Sequence, residues 1–272
     1  MNYFKLRDKY ELYIKEEIKK ESKAIVIISH GFAEHFSRYD YFTSSLINNE
    51  YGVIRYDLRG HGRNKNDLGH IESFDDFIFD LNEIYKETIK KFPNKAIFLF
   101  GHSMGGLITS IFALNPDLML KGIVLSGPAV GFLPSAKRIN RKFIKVASTA
   151  FGRFMIKNPI DKNLCKNEEV YYDYLKDDLV LHKASLKFYY EFLFNGPERI
   201  IKEKASFLYP VLIVHGEEDN IVPISISKSF FKSIPSKDKT FKEYASLYHE
   251  ILNEKERDYV IKDIISWLDQ RI

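Results

Sequence analysis

Cysteine is almost missing from this chain. Cys165 stands alone, which excludes an internal disulfide framework and fits a reducing compartment. A small buried hydrophobe is the simpler reading of it than a reactive thiol. Long apolar runs are missing too. No stretch approaches the roughly 18 residues needed to cross a bilayer, and the opening Met1-Asn-Tyr-Phe-Lys-Leu-Arg-Asp8 has no signal-like apolar core. A cytoplasmic protein, at most peripheral to a membrane, is expected. Charge of one sign is scarce: 41 Lys and Arg face 37 Asp and Glu for a net +4, so no nucleic-acid partner is expected. Internal repeats and low-complexity tracts are lacking. A metal site built from His30, His35 and His61 would lack accompanying thiolates or a His-x-x-x-His helix, so neither metal nor cofactor is expected.

What is present is a core-forming chain. Hydrophobic residues fill 45% of 272 positions, among them 22 Phe and 17 Tyr, enough for one large α/β domain or a domain with an insertion. Tyr3 to Arg7 and Glu11 to Lys15 alternate apolar and polar residues around Asp8-Lys9, which predicts a hairpin. The continuous run Ala24–Ile28 suits a strand buried on both faces. Further strands are predicted at 53–57, 96–100, 122–126, 211–215 and 240–244. Helical spacing links Tyr39, Phe42, Leu46 and Ile47. It returns from Phe74 to Phe92, behind Ser73 as N-cap with Asp76 at the capping-box distance, then at 226–231 and around Val260, Ile264, Trp267 and Leu268. Alternating strands and helices with right-handed crossovers build a mostly parallel sheet covered on both faces. Ligands bind such sheets at the carboxyl ends of the strands.

One stretch organises the rest. Gly101-His-Ser-Met-Gly105 lies between a predicted strand and a predicted helix, where a nucleophile elbow belongs. A serine on so sharp a turn needs a strained backbone and small neighbours, and the helix beginning beneath it offers free N–H groups to an oxyanion. Ser103 would then need a base and a carboxylate. His249, ahead of the last helix, and Asp219, just after the 211–215 strand, supply them in the order Ser, Asp, His seen on hydrolase sheets of this kind. Glu217 and Glu218 are rival acids, but the apolar-Pro turn that follows Asp219 favours it. His30, His61 and His102 sit at tight glycine turns, where bracing is the simpler role. The second oxyanion donor is expected from the His30-Gly-Phe32 loop, so that the N–H groups of Phe32 and Met104 converge.

The alternation breaks after Gly127-Pro128 and resumes at Pro210. Residues 128–204 are therefore expected to form a helical cap, or lid, inserted in a core of 1–127 and 205–272. The insert carries 15 Lys and Arg against 9 Asp and Glu, an excess of six. Ile139, Phe143, Val146, Ala147, Ala150, Phe151 and Phe154 fall on one helical face, with Arg138, Arg141, Lys142 and Lys145 on the other. Two compatible readings follow: a helix packed on the sheet domain with its basic face in water, or a lid resting on an anionic lipid surface.

Three motifs carry a resemblance: His30-Gly-Phe-Ala-Glu-His35 with Arg38-Tyr39, Tyr56-Asp-Leu-Arg-Gly-His-Gly62, and Gly101-His-Ser-Met-Gly-Gly106. Across Ser29 to Phe132, and again across Pro210 to Glu250, the chain resembles the monoacylglycerol lipase and lysophospholipase group of α/β-hydrolases, a group classed with the serine aminopeptidases. The resemblance implies an α/β-hydrolase fold, Ser103 as nucleophile with Asp219 and His249, and oxyanion donors at Phe32 and Met104. It also implies a serine esterase cleaving a single-chain lipid ester without a cofactor. The cap matches only loosely. Alternatives are a serine peptidase or amidase of the iminopeptidase type, a general carboxylesterase, and a non-catalytic binding protein of the same fold. Protonation of His249 is expected to quench activity near or below its ordinary pKa of about 6.5.

Overall fold

The computed structural model describes residues 2–158 and 162–272. The chain opens with an antiparallel pair, β1 (Asn2–Lys5) and β2 (Glu11–Glu17). Asp8 makes the turn between them, its Oδ1 accepting the Tyr10 N–H at 3.0 Å. There follow β3 (Ala24–Ser29), a 3₁₀ turn at Phe36–Tyr39, α1 (Asp40–Asn48), β4 (Tyr51–Tyr56), α2 (Asp75–Lys91), β5 (Ala96–His102), α3 (Met104–Phe112) and β6 (Leu120–Ser126). The segment up to the next sheet strand is mainly helical. It contains α4 (Pro134–Lys137), α5 (Arg141–Ala150), β7 (Met155–Lys157), α6 (Glu168–Lys176), β8 (Lys183–Ser185), α7 (Leu186–Tyr190), a π-helical turn at Glu191–Asn195, and α8 (Gly196–Glu203). The chain then re-enters the sheet with β9 (Val211–Gly216), α9 (Ile224–Ser233), β10 (Lys239–Tyr244) and α10 (Arg257–Asp269).

Eight strands form one sheet in the order β1-β2-β4-β3-β5-β6-β9-β10, with β7 and β8 pairing separately. Pairings from β4 to β10 are parallel; those of β1 with β2 and β2 with β4 are antiparallel. Along β5 the side chains alternate between two cores. Ile97 and Leu99 join one that includes α2 and α3, while Phe98 and Phe100 join another that includes α1 and α10. That is why the middle strands read as unbroken apolar runs. Phe98 and Phe100 are fully buried, each worth about 2–3 kcal/mol of burial free energy.

Two expectations shift in detail. The helix predicted behind Ser73 begins at Asp75, with Phe74 at the N-cap position. Ser73 Oγ accepts the Asp75 N–H (3.2 Å), while the Asp76 carboxylate accepts the Ser73 N–H (3.0 Å). The capping chemistry is kept and the register moves by one residue. The larger change is in the cap helix. Only Ile144 and Ser148 of α5 are buried, whereas Phe143 is 74% and Val146 70% exposed, and Phe151 and Phe154 just beyond are exposed as well. The apolar face therefore does not pack on the sheet domain. Ile144 and Ser148, one turn apart, lie between the apolar and basic sectors. This narrow stripe faces α7, leaving Phe143 and Val146 in solvent beside Lys142 and Lys145.

Candidate active site

Register brings the site together. Ser29 lies opposite Gly101, His102 opposite Ser126, Ser126 opposite Val214, and Gly216 opposite Tyr244. The loops leaving β3, β5, β6, β9 and β10 thus open at one edge of the sheet. Ser103 occupies the sharp turn from β5 into α3 at φ 52° and ψ −116°, a conformation that costs a non-glycine residue on the order of 1–3 kcal/mol. The surroundings hold it there. Its N–H donates to Ser126 O (2.9 Å), and its carbonyl accepts from Ala129 N–H (3.0 Å) and Leu107 N–H (3.1 Å). Gly105 makes the turn feasible, because a Cβ there would lie 2.2 Å from Ser29 O and 2.4 Å from His30 O.

Asp219 and His249 meet across the loops after β9 and β10. His249 Nδ1–H donates to Asp219 Oδ2 at 2.6 Å, which leaves Nε2 as the lone-pair nitrogen. Asp219 Oδ1 accepts the backbone N–H groups of Ile221 (2.9 Å) and Val222 (2.8 Å). Glu217 and Glu218, the rival acids, are exposed. Gly127, at φ +49°, lets the β6 loop run close past the pair; a Cβ there would sit 3.2 Å from His249 Nδ1. Burial works to raise the Asp219 pKa, but the two histidines beside it hold the carboxyl well below its usual range. Burial pulls His249 down, while the charge and hydrogen bond of Asp219, with Glu250 and Glu34 behind, carry its pKa above the ordinary value. The limb expected near or below about 6.5 therefore belongs above it.

A second histidine stands on the same carboxylate. His215 Nε2 lies 3.0 Å from Asp219 Oδ2 and 2.9 Å from Val222 O, and its Nδ1 is 2.9 Å from Ser227 Oγ. Two acceptors on Nε2 require that nitrogen to carry the proton, and the Ser227 hydroxyl then donates to Nδ1. The sequence signal was a histidine four residues before the acid, which spacing alone does not distinguish from a core residue. His102 packs against His249 at 4.6 Å between ring centroids. Burial first, then the neighbouring His249, keep it well below its ordinary pKa and neutral.

The loop after β3 carries Phe32. His30 braces it by accepting the Leu58 N–H on Nε2 (2.8 Å) and donating from Nδ1 to Gly31 O (2.8 Å). The Tyr56–Gly62 motif thus serves as a strut for this loop. The Phe32 N–H has no acceptor among the described residues, and the Met104 N–H, first in α3, has no intrahelical one. Glu34 accepts the Gly31 N–H (2.5 Å) and the Tyr39 hydroxyl (2.7 Å); burial and then Glu250 push its pKa up to about 7. Arg38 bridges Glu34 and Glu250, tying the Phe32 loop to the His249 loop. The cap is tied to the same loop, since Leu181 N–H donates to Ala33 O (2.9 Å) and His35 Nε2 pairs with Asp177 (2.7 Å).

Phe32, Ser103 and His249 line one cavity of about 640 Å³, walled mostly by cap residues such as Ile139, Ile144 and Phe192. No hydrogen bond joins Ser103 to His249 among the described residues; they share the cavity wall. Cys165 is buried and its thiol pushed up to about 12 by burial, so it is no nucleophile at neutral pH. Among the described residues no group of three or more His, Cys, Asp or Glu side chains is arranged to hold a metal ion.

Comparison with known proteins fits this frame. The model of the serine aminopeptidase S33 family matches residues 20–256. The phospholipase YtpA of Bacillus subtilis is 30% identical over 258 residues, covering 92% of this chain and 96% of its own. The monoacylglycerol lipase of Mycolicibacterium smegmatis is 27% identical over 248 residues, 91% of this chain and 89% of its own. The crystal structure of Paleococcus ferrophilus monoacylglycerol lipase superposes with a TM-score of 0.86 at 29% identity, over 96% of this chain and all of that one. By the family match over most of its length, and by relatives that match it nearly end to end, the chain belongs to the serine aminopeptidase S33 family, in the monoacylglycerol lipase group of the α/β-hydrolases.

Proposed function

We propose that this protein is a carboxylic ester hydrolase acting on a single-chain lipid, a monoacylglycerol or a lysophospholipid, through Ser103, His249 and Asp219. The observation that carries it is the 2.6 Å His249–Asp219 hydrogen bond behind a cavity that Ser103 shares. His249 Nε2 takes the Ser103 proton as Oγ attacks the ester carbonyl, and the N–H groups of Phe32 and Met104 hold the oxyanion. Each such donor is worth on the order of 3 kcal/mol in the transition state. The alcohol leaves with the proton from His249, and water resolves the acyl-enzyme by the same route. Among the described residues no Asp or Glu side chain lines the cavity, which argues against an aminopeptidase needing an anion for a substrate ammonium group. Paired hydrolysis of a monoacylglycerol and a lysophospholipid tests the reading. Ser103→Ala is expected to lose about 10⁴-fold or more of the rate; turnover that survives the substitution overturns the assignment.

The solvent-facing apolar sector of α5, flanked by Lys142 and Lys145, supports peripheral contact with an anionic membrane surface in the cytoplasm. Among the described residues no helix is long and apolar enough to cross a membrane. Binding to anionic vesicles that weakens with salt is the expected result, and no binding at low salt refutes the contact.

A further inference from the structure

We infer that the cavity is built for a single-chain ester whose head group is a net anion: a lysophospholipid with a phosphate and no compensating ammonium. This rests on the ester-hydrolase reading above and specifies its substrate class. Arg138, just after α4, and Lys157, at the end of β7, line the cavity that holds Ser103 and His249. Neither side chain has an ion pair or hydrogen bond among the described residues, whereas Arg141, close by in sequence, is committed to Glu198 at 2.5 Å.

Chemistry selects among head groups. Two positive side chains, with no Asp or Glu in the wall among the described residues, raise the potential of the cavity and favour an anionic ligand over a neutral glycerol. They also disfavour a choline head group, whose ammonium would find no carboxylate in the wall among the described residues. Arg138 offers the planar fork that matches two phosphate oxygens, and Lys157 a compact point charge. Tyr189 lines the same cavity, and its buried hydroxyl has no hydrogen-bond partner among the described residues. The remaining wall, with Leu133, Ile139 and Phe192, suits the acyl chain.

The test uses octanoyl substrates below their critical micelle concentrations, so that attraction of a charged interface to the outer face of α5 does not enter. Octanoyl-lysophosphatidylglycerol, octanoyl-lysophosphatidylcholine and mono-octanoylglycerol are compared by kcat/KM. The expected order puts octanoyl-lysophosphatidylglycerol first. Arg138→Gln/Lys157→Gln is expected to lower the preference for the anionic substrate over mono-octanoylglycerol about tenfold, through KM rather than kcat. Lys142→Gln/Lys145→Gln, changing charges off the cavity wall, is expected to leave that preference in place. Equal loss on all three substrates, or no wild-type preference for the anion, overturns the head-group inference while ester cleavage stands. Failure to cleave any of the three, or p-nitrophenyl octanoate, overturns the ester-hydrolase reading and this inference with it.

Discussion

His215 gives the sharpest test of how the proposed base is tuned. Asp219 accepts four hydrogen bonds, from Ile221 N–H, Val222 N–H, His215 Nε2–H and His249 Nδ1–H. The two histidines share a single oxygen, Oδ2. Replacing His215 with Phe removes one N–H donor from a buried carboxylate, an interaction of about 1.5–3 kcal/mol. The carboxylate keeps its charge, because its pKa is already well depressed, and becomes the stronger acceptor for His249. If about half of the lost bond is recovered in the imidazolium form, His249 gains about 0.7–1.5 kcal/mol. That is about half to one pH unit upward. The wild-type acid limb itself belongs above 6.5, since burial lowers His249 but Asp219 more than offsets it. Activity requires the neutral imidazole and is lost as pH falls through that pKa, so the variant loses activity at higher pH than the wild type. The assay is kcat/KM on a soluble p-nitrophenyl ester from about pH 5 to pH 9. His215→Gln, with an amide N–H to replace the donor, is expected to restore the limb. A purely structural role would lower the plateau and the melting temperature without moving the limb. An unmoved limb in a folded, active His215→Phe protein refutes the coupling.

Gly105→Ala is expected to abolish activity and to cost more than about 4 kcal/mol of stability, because its Cβ would collide with two backbone carbonyl oxygens, Ser29 O and His30 O, that cannot move aside cheaply. Urea unfolding measures the loss, and a variant within about 1 kcal/mol of wild type contradicts the close approach. On the cap, Phe143→Ser/Val146→Ser and Lys142→Gln/Lys145→Gln separate the two halves of membrane contact. The first pair is expected to weaken binding to anionic vesicles at all salt concentrations, and the second to flatten its salt dependence. All four residues are exposed, so unchanged melting temperatures are the control.

The sheet and elbow were legible because backbone physics writes them locally. A strand buried on both faces has to be apolar throughout, as Ala24–Ser29 and Val211–Gly216 are. A serine at positive φ needs glycine where neighbouring backbone comes within reach, so Gly105 announces Ser103. Asp219 and His249 were legible for a different reason. In a parallel sheet the loop after each strand arrives at the same edge, so chain order carries spatial meaning. The cap offers no such rule. Its apolar residues recur at helical spacing, but spacing fixes only which side chains share a face, not whether protein, lipid or water covers that face. Phe143 and Val146 satisfy the periodicity of a packed helix and are exposed all the same. His215 and the Glu34–Arg38–Glu250 bridge were hidden for a related reason. His215 lies only four residues before Asp219, a spacing that a core histidine shares, and Arg38 meets Glu250 across 212 residues of sequence. Arg138 and Lys157 make the point for specificity: in sequence they are two of many basic residues in the insert, and only the cavity wall sets them apart. The candidate catalytic groups are thus readable where the fold repeats itself, and the proposed substrate choice has to be read from the one segment where it does not.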